Sequence, residues 1–256
     1  MLELPEAQVV ADQLARTVIG KPVASVVASQ SPHRFAFFSG DPGDYDGALR
    51  GKEVVAAAAM GGFVELRFGG TSLLLNDGAN LRYHEPVAAL PSKHQLLVAF
   101  EDGSALTVTV QMYAGLMCVP TGTFDNPYYL AATSKPSPLT DAFDAAWFRG
   151  LLARPEVQKS SLKAALATEQ RIPGFGNGVL QDVLWRARMH PRRRVTTLDD
   201  AEVDALLSVV TGLLREMAEQ GGRDTEVDLF GTHGGYRTVM SKLRLSEACP
   251  TCGVPR

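Results

Sequence analysis

A glycine-rich turn between two helical stretches is the part of this sequence best suited to hold a ligand. Residues 173–178 read Pro-Gly-Phe-Gly-Asn-Gly, and a helical pattern resumes directly after them. Glycine lets the backbone approach a ligand closely, and the free N–H groups at the start of a helix point outward at the positive end of its dipole. We expect Asn177 to cap this helix. The turn therefore predicts a binding site for an anion such as a phosphate.

Basic residues surround this turn. The stretch 163–194 contains seven cations, namely Lys163, Arg171, Arg186, Arg188, Arg192, Arg193 and Arg194. Only Glu169 and Asp182 oppose them, so the stretch carries a net charge of +5 in a chain whose total is −3. Charge alone fits a solvated basic face as well as it fits a nucleic-acid contact. The neighbouring glycine-rich turn favours the nucleic-acid contact.

Two of the three cysteines, Cys249 and Cys252, form a CxxC pair. A closed structural zinc site needs four ligands, so this pair supplies half of one. A redox disulfide is the alternative, but no βαβ pattern of the thioredoxin type surrounds the pair. The third cysteine, Cys118, lies in an apolar run and is expected to be a small buried residue.

The elements that must position these residues fall into two groups. Residues 5–19 read as one helix that starts with Pro5. Short β-type runs follow at 23–28, 35–38, 54–58, 64–68, 72–75, 96–100 and 105–113. Helical stretches then occupy 141–152, 162–170, 178–187 and 201–220, after a Pro-, Asn- and Ser-rich linker at 124–138. The absence of βαβ alternation argues against a Rossmann fold.

We therefore predict an α+β protein with three parts. A helix-capped antiparallel β-sandwich occupies residues 1–124, a helical domain occupies 139–222, and a C-terminal segment with the CxxC pair occupies 223–256. The chain has 256 residues, of which 45% are hydrophobic and 21% charged, as expected for a folded protein. No apolar run approaches the ~20 residues of a membrane helix, and the first six residues are too polar for a signal peptide. We expect a soluble cytoplasmic protein with no membrane partner.

The order of these motifs closely resembles the formamidopyrimidine-DNA glycosylase/endonuclease VIII family of helix–two-turn–helix DNA glycosylases. The helical half carries Lys163, about ten further residues, the Pro-Gly-Phe-Gly-Asn turn, a helix, and Met-His-Pro191 followed by arginines. The start Glu3-Leu-Pro-Glu6 resembles the family's opening Pro-Glu-Leu-Pro-Glu. Gly221-Gly222, Gly235-Tyr236 and the CxxC pair resemble the entry to its C-terminal zinc finger.

The resemblance implies a base-excision enzyme. Such enzymes flip a damaged base out of duplex DNA, attack the sugar C1′ with an N-terminal amine, and cleave the strand by β-elimination from a Schiff base. Leu2 stands at the place of the nucleophile, Glu3 would be the general acid/base, and Glu6 would be a supporting carboxylate. Spacing alone would make both glutamates ordinary first-turn helix acids.

The same resemblance implies the remaining partners. Phosphates would be held by Lys163 and by Asn177 with Gly176, and the DNA backbone would be contacted by Arg192 and Arg193. The expected partner is double-stranded DNA with a damaged base or an abasic site, bound by a monomer. Zinc is the implied cofactor, held by Cys249 and Cys252 in a partial zinc finger, with only two of the four ligands in this chain.

The chain departs from the family pattern at its reactive positions. The family's nucleophilic proline is replaced by Leu2, and its strand lysine falls at Gly61 or Gly62. An Arg-Phe pair that fills the gap left by the flipped base would fall at 111–115, where there is no arginine and where Met112 or Tyr113 could act as an apolar wedge. Three hypotheses follow: a divergent DNA glycosylase with AP-lyase activity, a non-catalytic binder of damaged or distorted DNA, and a binder of structured RNA.

Overall fold

The computed structural model describes residues 1–254 and opens with helix α1, Leu4–Thr17. The sequence predicted a helix over 5–19. Pro5 lies in the first turn, and the apolar face formed by Ala7, Val10 and Leu14 is buried. This face packs against strands of the β-sheet region, so α1 covers one side of the sandwich.

In the described part of the chain, nine strands form the sandwich: β1 (Val23–Ala28), β2 (Ala36–Phe38), β3 (Ala56–Met60), β4 (Phe63–Phe68), β5 (Thr71–Asn76), β6 (Ala79–His84), β7 (Leu96–Phe100), β8 (Ala105–Val110) and β9 (Ala114–Pro120). One sheet has the order β1-β7-β8-β6 and the other β2-β9-β5-β4-β3. Every pairing is antiparallel except β2 with β9, which is parallel. The predicted α+β class and the antiparallel sandwich are confirmed, with this one parallel pair as an exception.

The strand predictions were incomplete, because β6 and β9 were missed. Strand β6 was missed although Leu81 and Tyr83 alternate with Asn80 and Arg82, which is the period-2 pattern of a half-buried strand. The predicted strand 105–113 ends at Val110, because Met112 has a left-handed φ of +66° that turns the chain into β9.

The predicted linker 124–138 contains helix α3, Pro127–Ser134. Asn126 caps this helix, and its side chain accepts a hydrogen bond from the Tyr128 N–H at 2.9 Å. The Asn126-Pro127 pair, which lies in the predicted linker, is therefore the start of a helix. Asparagine caps this helix, and proline takes its first position.

The helical half contains α4 (Ala145–Leu152), α5 (Pro155–Gln158), α6 (Leu162–Ala167), α7 (Asn177–Arg186) and α8 (Asp200–Glu219). These helices enclose a second apolar core. Helix α4 begins four residues later than predicted, at the Asp144 cap. Helix α6 ends before the predicted residue 170, because Glu169 and Gln170 take left-handed φ values of +56° and +47°.

Asp182 of α7 attaches the C-terminal segment to the helical half. Its buried carboxylate accepts hydrogen bonds from the Tyr236 hydroxyl at 3.1 Å and from the N–H groups of Val239 and Met240 at 2.8 and 2.7 Å. This contact places the CxxC pair beside α7. Within residues 1–254, none of the helices has the length and apolar character needed to span a membrane.

Candidate active site and basic groove

The start of the chain lies in a cavity of about 640 Å³ between the β-sandwich and the glycine-rich turn. The Leu2 N–H donates to the Asp77 carbonyl at 2.6 Å, and the Leu4 N–H donates to the Gly174 carbonyl at 2.8 Å. These two bonds hold the N-terminal residues between the β5–β6 turn and the turn before α7. The terminal amine is therefore at the junction of the two halves.

The glycine-rich turn packs directly on the β3–β4 turn. A Cβ added at Gly61 would lie 2.8 Å from Cβ of Pro173, and Gly61 and Gly174 both have positive φ. A side chain at Gly61 therefore has no room. At the strand position where the family resemblance implies a lysine, two backbone segments are in contact instead.

Glu3 caps helix α7 from the other half of the molecule. Its Oε1 accepts from the Gly178 N–H at 2.9 Å and its Oε2 from the Val179 N–H at 2.8 Å. The cap position is Gly176, and Asn177 is the first helical residue, so the prediction that Asn177 caps the helix was wrong. The physical reason is that the Glu3 carboxylate satisfies the free N–H groups and lies where a side chain at Gly176 would be.

A buried arginine joins Glu3 to Glu6. Arg223 donates from Nε and Nη2 to the two Glu6 oxygens at 2.9 and 2.8 Å, and its Nη1 lies 3.3 Å from Glu3 Oε2. All three side chains are at least nine-tenths buried. Burial raises the pKa of Glu3, although the Arg223 charge opposes it. Burial opposes the charge of Arg223 as well, but Glu6 and Glu3 outweigh it and raise the pKa of the guanidinium.

Sequence reasoning missed Arg223. The available signal was indirect: Glu3 and Glu6 sit on the buried side of α1, and buried acids require a cation. It also missed Glu226, whose Oε2 accepts a hydrogen bond from the Met1 ammonium. Leu2 is half-buried and packs against the sandwich core.

The predicted phosphate ligands Lys163 and Asn177 line one groove. This groove, of about 800 Å³, lies between α7 and the CxxC turn, and it also includes Trp185, Arg186 and Arg188. Both Lys163 and Asn177 are exposed, and Asn177 borders the first cavity as well. The helix–turn–helix therefore connects the cavity at the N-terminus to a basic surface.

The two predicted arginines differ in their surroundings. Arg192 is exposed, and its side chain makes no ion pair with any of residues 1–254. Arg193 donates to both Glu202 oxygens at 2.6 Å and to the Thr197 carbonyl at 2.7 Å. Arg192 is thus available to a ligand, whereas Arg193 is held by α8.

Cys249 and Cys252 lie in a tight turn, in which the Gly253 N–H donates to the Cys249 carbonyl at 2.8 Å. Hydrogen bonds from the backbone N–H groups of Thr251 and Cys252 lower the pKa of Cys249 to about 7. In the described part of the chain, no cluster of three or more His, Cys, Asp or Glu residues could hold a metal ion. Two thiols do not fit a closed zinc site, which needs four ligands.

Met112 and Tyr113 project at the rim of the first cavity. Both are exposed, and the Gly78 N–H donates to the Tyr113 carbonyl at 2.9 Å, so the β8–β9 and β5–β6 turns are joined side by side. Met112 and Tyr113 therefore line the same cavity as the start of the chain.

Known proteins are similar both to the helical half and to nearly the whole chain. Residues 135–228 match the family model described as the formamidopyrimidine-DNA glycosylase H2TH domain. A formamidopyrimidine-DNA glycosylase of Cereibacter sphaeroides is 29% identical, with 98% of this chain and 99% of that protein covered. One from Mycolicibacterium paratuberculosis is 26% identical over 99% of this chain and 91% of its own length.

Solved structures give the same result for the backbone. The MutM (Fpg) protein of Thermus thermophilus superposes with a TM-score of 0.80 at 24% identity, covering 99% of this chain and 91% of that one. Lactococcus lactis Fpg, in a complex with DNA containing N7-benzyl-Fapy-dG, gives 0.82 at 23% identity, with 99% and 92% covered. The chain therefore has the fold of these two proteins.

Proposed function

We infer that this chain, which belongs to the formamidopyrimidine-DNA glycosylase/endonuclease VIII family, acts in DNA repair on duplex DNA with a damaged base or an abasic site. One observation carries the proposal: the N-terminal amine lies in a cavity whose far wall is the glycine-rich turn, and Asn177 links that cavity to a basic groove. A strand held by its phosphates on the groove would present a flipped nucleotide to the amine. Work on chromosomal DNA would place the protein in the cytoplasm, at the nucleoid.

The grip on DNA belongs to the exposed polar residues of the groove. Lys163, Asn177 and Arg192 are free to bind phosphates, which would give affinity and register but no sequence preference. Arg193 would contribute by holding the loop before α8 in place through Glu202. Met112 or Tyr113 would fill the space left by the flipped base.

The proposed nucleophile is the α-amine of Met1. Methionine removal requires a small second residue, so Leu2 should leave Met1 in place. The neutral amine would attack C1′ of the sugar, and loss of water would give a Schiff base that permits β-elimination of the 3′ phosphate. Met1 is partly exposed at the cavity, so a substrate can reach it.

Glu3 has a different task in this proposal from the acid/base role expected by resemblance. Its two oxygens already accept from the Gly178 and Val179 N–H groups, Arg223 lies 3.3 Å from its Oε2, and it is buried. A carboxylate with two backbone donors and a buried counterion in place is a poor proton carrier. We propose that Glu3 fixes the chain start to α7, while Glu6 anchors Arg223.

We also propose that Cys249 and Cys252 provide two thiolates to zinc when two more ligands come from outside residues 1–254. The lowered pKa of Cys249 supports this, because zinc binds the thiolate. The groove beside the CxxC turn would then be bordered by the metal site.

A non-catalytic binder of damaged DNA is the second candidate. The observations that favour it are Leu2 at the nucleophile position and the closed backbone contact at Gly61. Both candidates share the DNA surface and differ only at the amine.

The test combines binding and chemistry on one set of oligonucleotides. Fluorescence anisotropy compares an abasic-site duplex, the intact duplex and a structured RNA, and borohydride is added to trap a Schiff base. Tighter binding to the abasic duplex with a trapped adduct on the Met1 peptide supports the glycosylase/lyase. Selective binding without an adduct selects the non-catalytic binder, and preference for RNA contradicts the DNA assignment.

A further inference from the structure

Three carboxyl groups line the cavity at the N-terminus: Glu3, Asp77 and Glu226. Glu3 is engaged by two backbone N–H groups and Arg223, and Glu226 is paired with the Met1 ammonium. The Asp77 carboxyl makes no hydrogen bond or ion pair with any residue from 1 to 254. Among residues 1–254, it is the one acid lining this cavity whose carboxyl oxygens are free for a substrate.

The backbone holds Asp77 beside the start of the chain. The Asp77 carbonyl accepts the Leu2 N–H at 2.6 Å, and the Met1 nitrogen lies within ~3.6 Å of that Leu2 nitrogen along the chain. Asp77 itself takes a left-handed φ of +53° in the β5–β6 turn. Aspartate tolerates this conformation better than most residues, but it still carries a cost, and such strain is often found at functional sites.

The surroundings of Asp77 suit proton exchange. Burial raises the pKa of its carboxyl, so it holds a proton closer to neutral pH than an ordinary aspartate does. Its charge is the main reason that the pKa of Tyr113, on the adjoining turn, is raised. A carboxyl that is half-buried and unpaired, in the cavity that also holds the amine, can both give and take a proton.

We propose that Asp77 is the proton donor and acceptor for the reaction at the Met1 amine. The inference rests on the proposed function, because it needs an abasic sugar in the cavity. No role for this position follows from the motifs that relate the chain to its family.

The proton balance is closed. After the Met1 nitrogen bonds to the C1′ aldehyde carbon and a proton moves from nitrogen to oxygen, Asp77 protonates the carbinolamine hydroxyl. The C–O bond breaks, water leaves, and the C=N bond forms. The Asp77 carboxylate then takes a proton from C2′, the C–H pair forms the C2′–C3′ double bond, and the 3′ phosphate leaves with the C3′–O pair. Asp77 ends as the acid with which it began.

The variant Asp77→Asn tests this. Asparagine tolerates positive φ as well as aspartate does and has nearly the same shape, so the β5–β6 turn and the bond to Leu2 should persist. General acid–base groups contribute about 10²–10⁴-fold to rate. We expect single-turnover incision of an abasic duplex to fall at least ~100-fold, with affinity for that duplex within about threefold of wild type. Added acetate should restore part of the rate in the variant and have no effect on wild type, which a structural role would not produce.

Asp44→Asn is the matched control, because Asp44 is exposed directly before the short helix α2 (Tyr45–Leu49) and lies outside the cavity. It removes the same charge and should incise at the wild-type rate. Equal incision by Asp77→Asn and wild type would overturn the assignment and leave the proposed function standing. Wild-type protein that neither binds abasic DNA selectively nor incises it would refute the proposed function instead. Wild-type binding without incision would also overturn the role of Asp77, since no proton transfer would remain to assist.

Discussion

Replacing Arg223 by methionine should destabilise the protein by ~3–5 kcal/mol at neutral pH. Arg223 is 3% exposed and holds Glu6 through two hydrogen bonds and Glu3 through a 3.3 Å contact. Methionine keeps much of the volume but removes the charge. Both buried carboxylates then lose their counterion, and breaking a buried pair in this way costs ~3–5 kcal/mol. That is a large part of the ~5–15 kcal/mol that stabilises a typical domain.

The pH dependence of this loss follows from Glu3. Because burial raises the folded-state pKa of Glu3, its contribution to stability is full below the unfolded-state pKa and is lost as the pH rises through the folded-state pKa. Without Arg223 the ionised carboxylates are penalised further, so that pKa moves higher. The destabilisation by Arg223→Met should therefore be larger at pH 7.5 than at pH 5. Each unit by which the pKa of Glu3 is raised corresponds to ~1.4 kcal/mol of this difference.

Urea denaturation followed by circular dichroism measures this, at both pH values. Arg237→Met is the control, since Arg237 is 70% exposed in its pair with Glu247 and such pairs contribute ~0–1 kcal/mol. Adding Glu6→Gln to Arg223→Met should recover part of the loss, because it removes an unpaired buried charge. A loss of unfolding free energy below ~1 kcal/mol, or one that does not change with pH, would refute the role of Arg223 as the counterion of Glu3 and Glu6.

Three further predictions concern the groove and the thiols. Lys163→Ala and Asn177→Ala should each weaken binding to every duplex by ~1–3 kcal/mol, and the lysine change should lower the salt dependence of binding. Lys93→Ala, in the β-sandwich half, is the control in anisotropy titrations. Unchanged affinity in both groove variants would contradict the phosphate site. Elemental analysis of the dialysed 256-residue chain should find well under one zinc per monomer, whereas stoichiometric zinc would indicate further ligands such as His233 or a partner chain. Iodoacetamide at pH 7 should alkylate Cys249 long before Cys118, because the pKa of Cys249 is lowered to about 7 and burial raises that of Cys118 to about 11. Equal labelling of the two cysteines, measured by peptide mass spectrometry, would contradict this difference in pKa.

Local patterns predicted the parts of the fold that depend on neighbouring residues. The apolar spacing of α1 and the glycine-rich turn before α7 required only nearby sequence to identify. Lys163 and Asn177 met in one groove because the helix–turn–helix that carries them is itself a local motif. Helix α3 was missed because its segment has the composition of a loop. In the structure, the Asn126 cap and Pro127 start a helix there despite that composition.

The chemistry of the cavity depends on contacts between distant residues, and these were not predictable. Glu6 and Arg223 are 217 positions apart, and Met1 and Glu226 are 225 apart. Only the packing of both halves on α1 brings them together. The free carboxyl of Asp77 could be identified only after the partners of Glu3 and Glu226 were known, because its role follows from elimination within one cavity.

The same contacts limit what the altered N-terminus can change. Leu2 is bonded to Asp77, Glu3 to α7, Leu4 to Gly174 and Glu6 to Arg223, so the chain is fixed from its second residue onward. Retaining Met1 therefore does not shift the scaffold; it moves the amine by at most ~3.6 Å, toward Glu226. Since a misplacement of ~1 Å can cost ~100-fold in rate, efficient lyase chemistry requires the abasic sugar to bind at the position of the Met1 nitrogen. Reactivity would then depend on the pairing of that nitrogen with Glu226, because the bonds of residues 2–6 leave the chain no freedom to compensate.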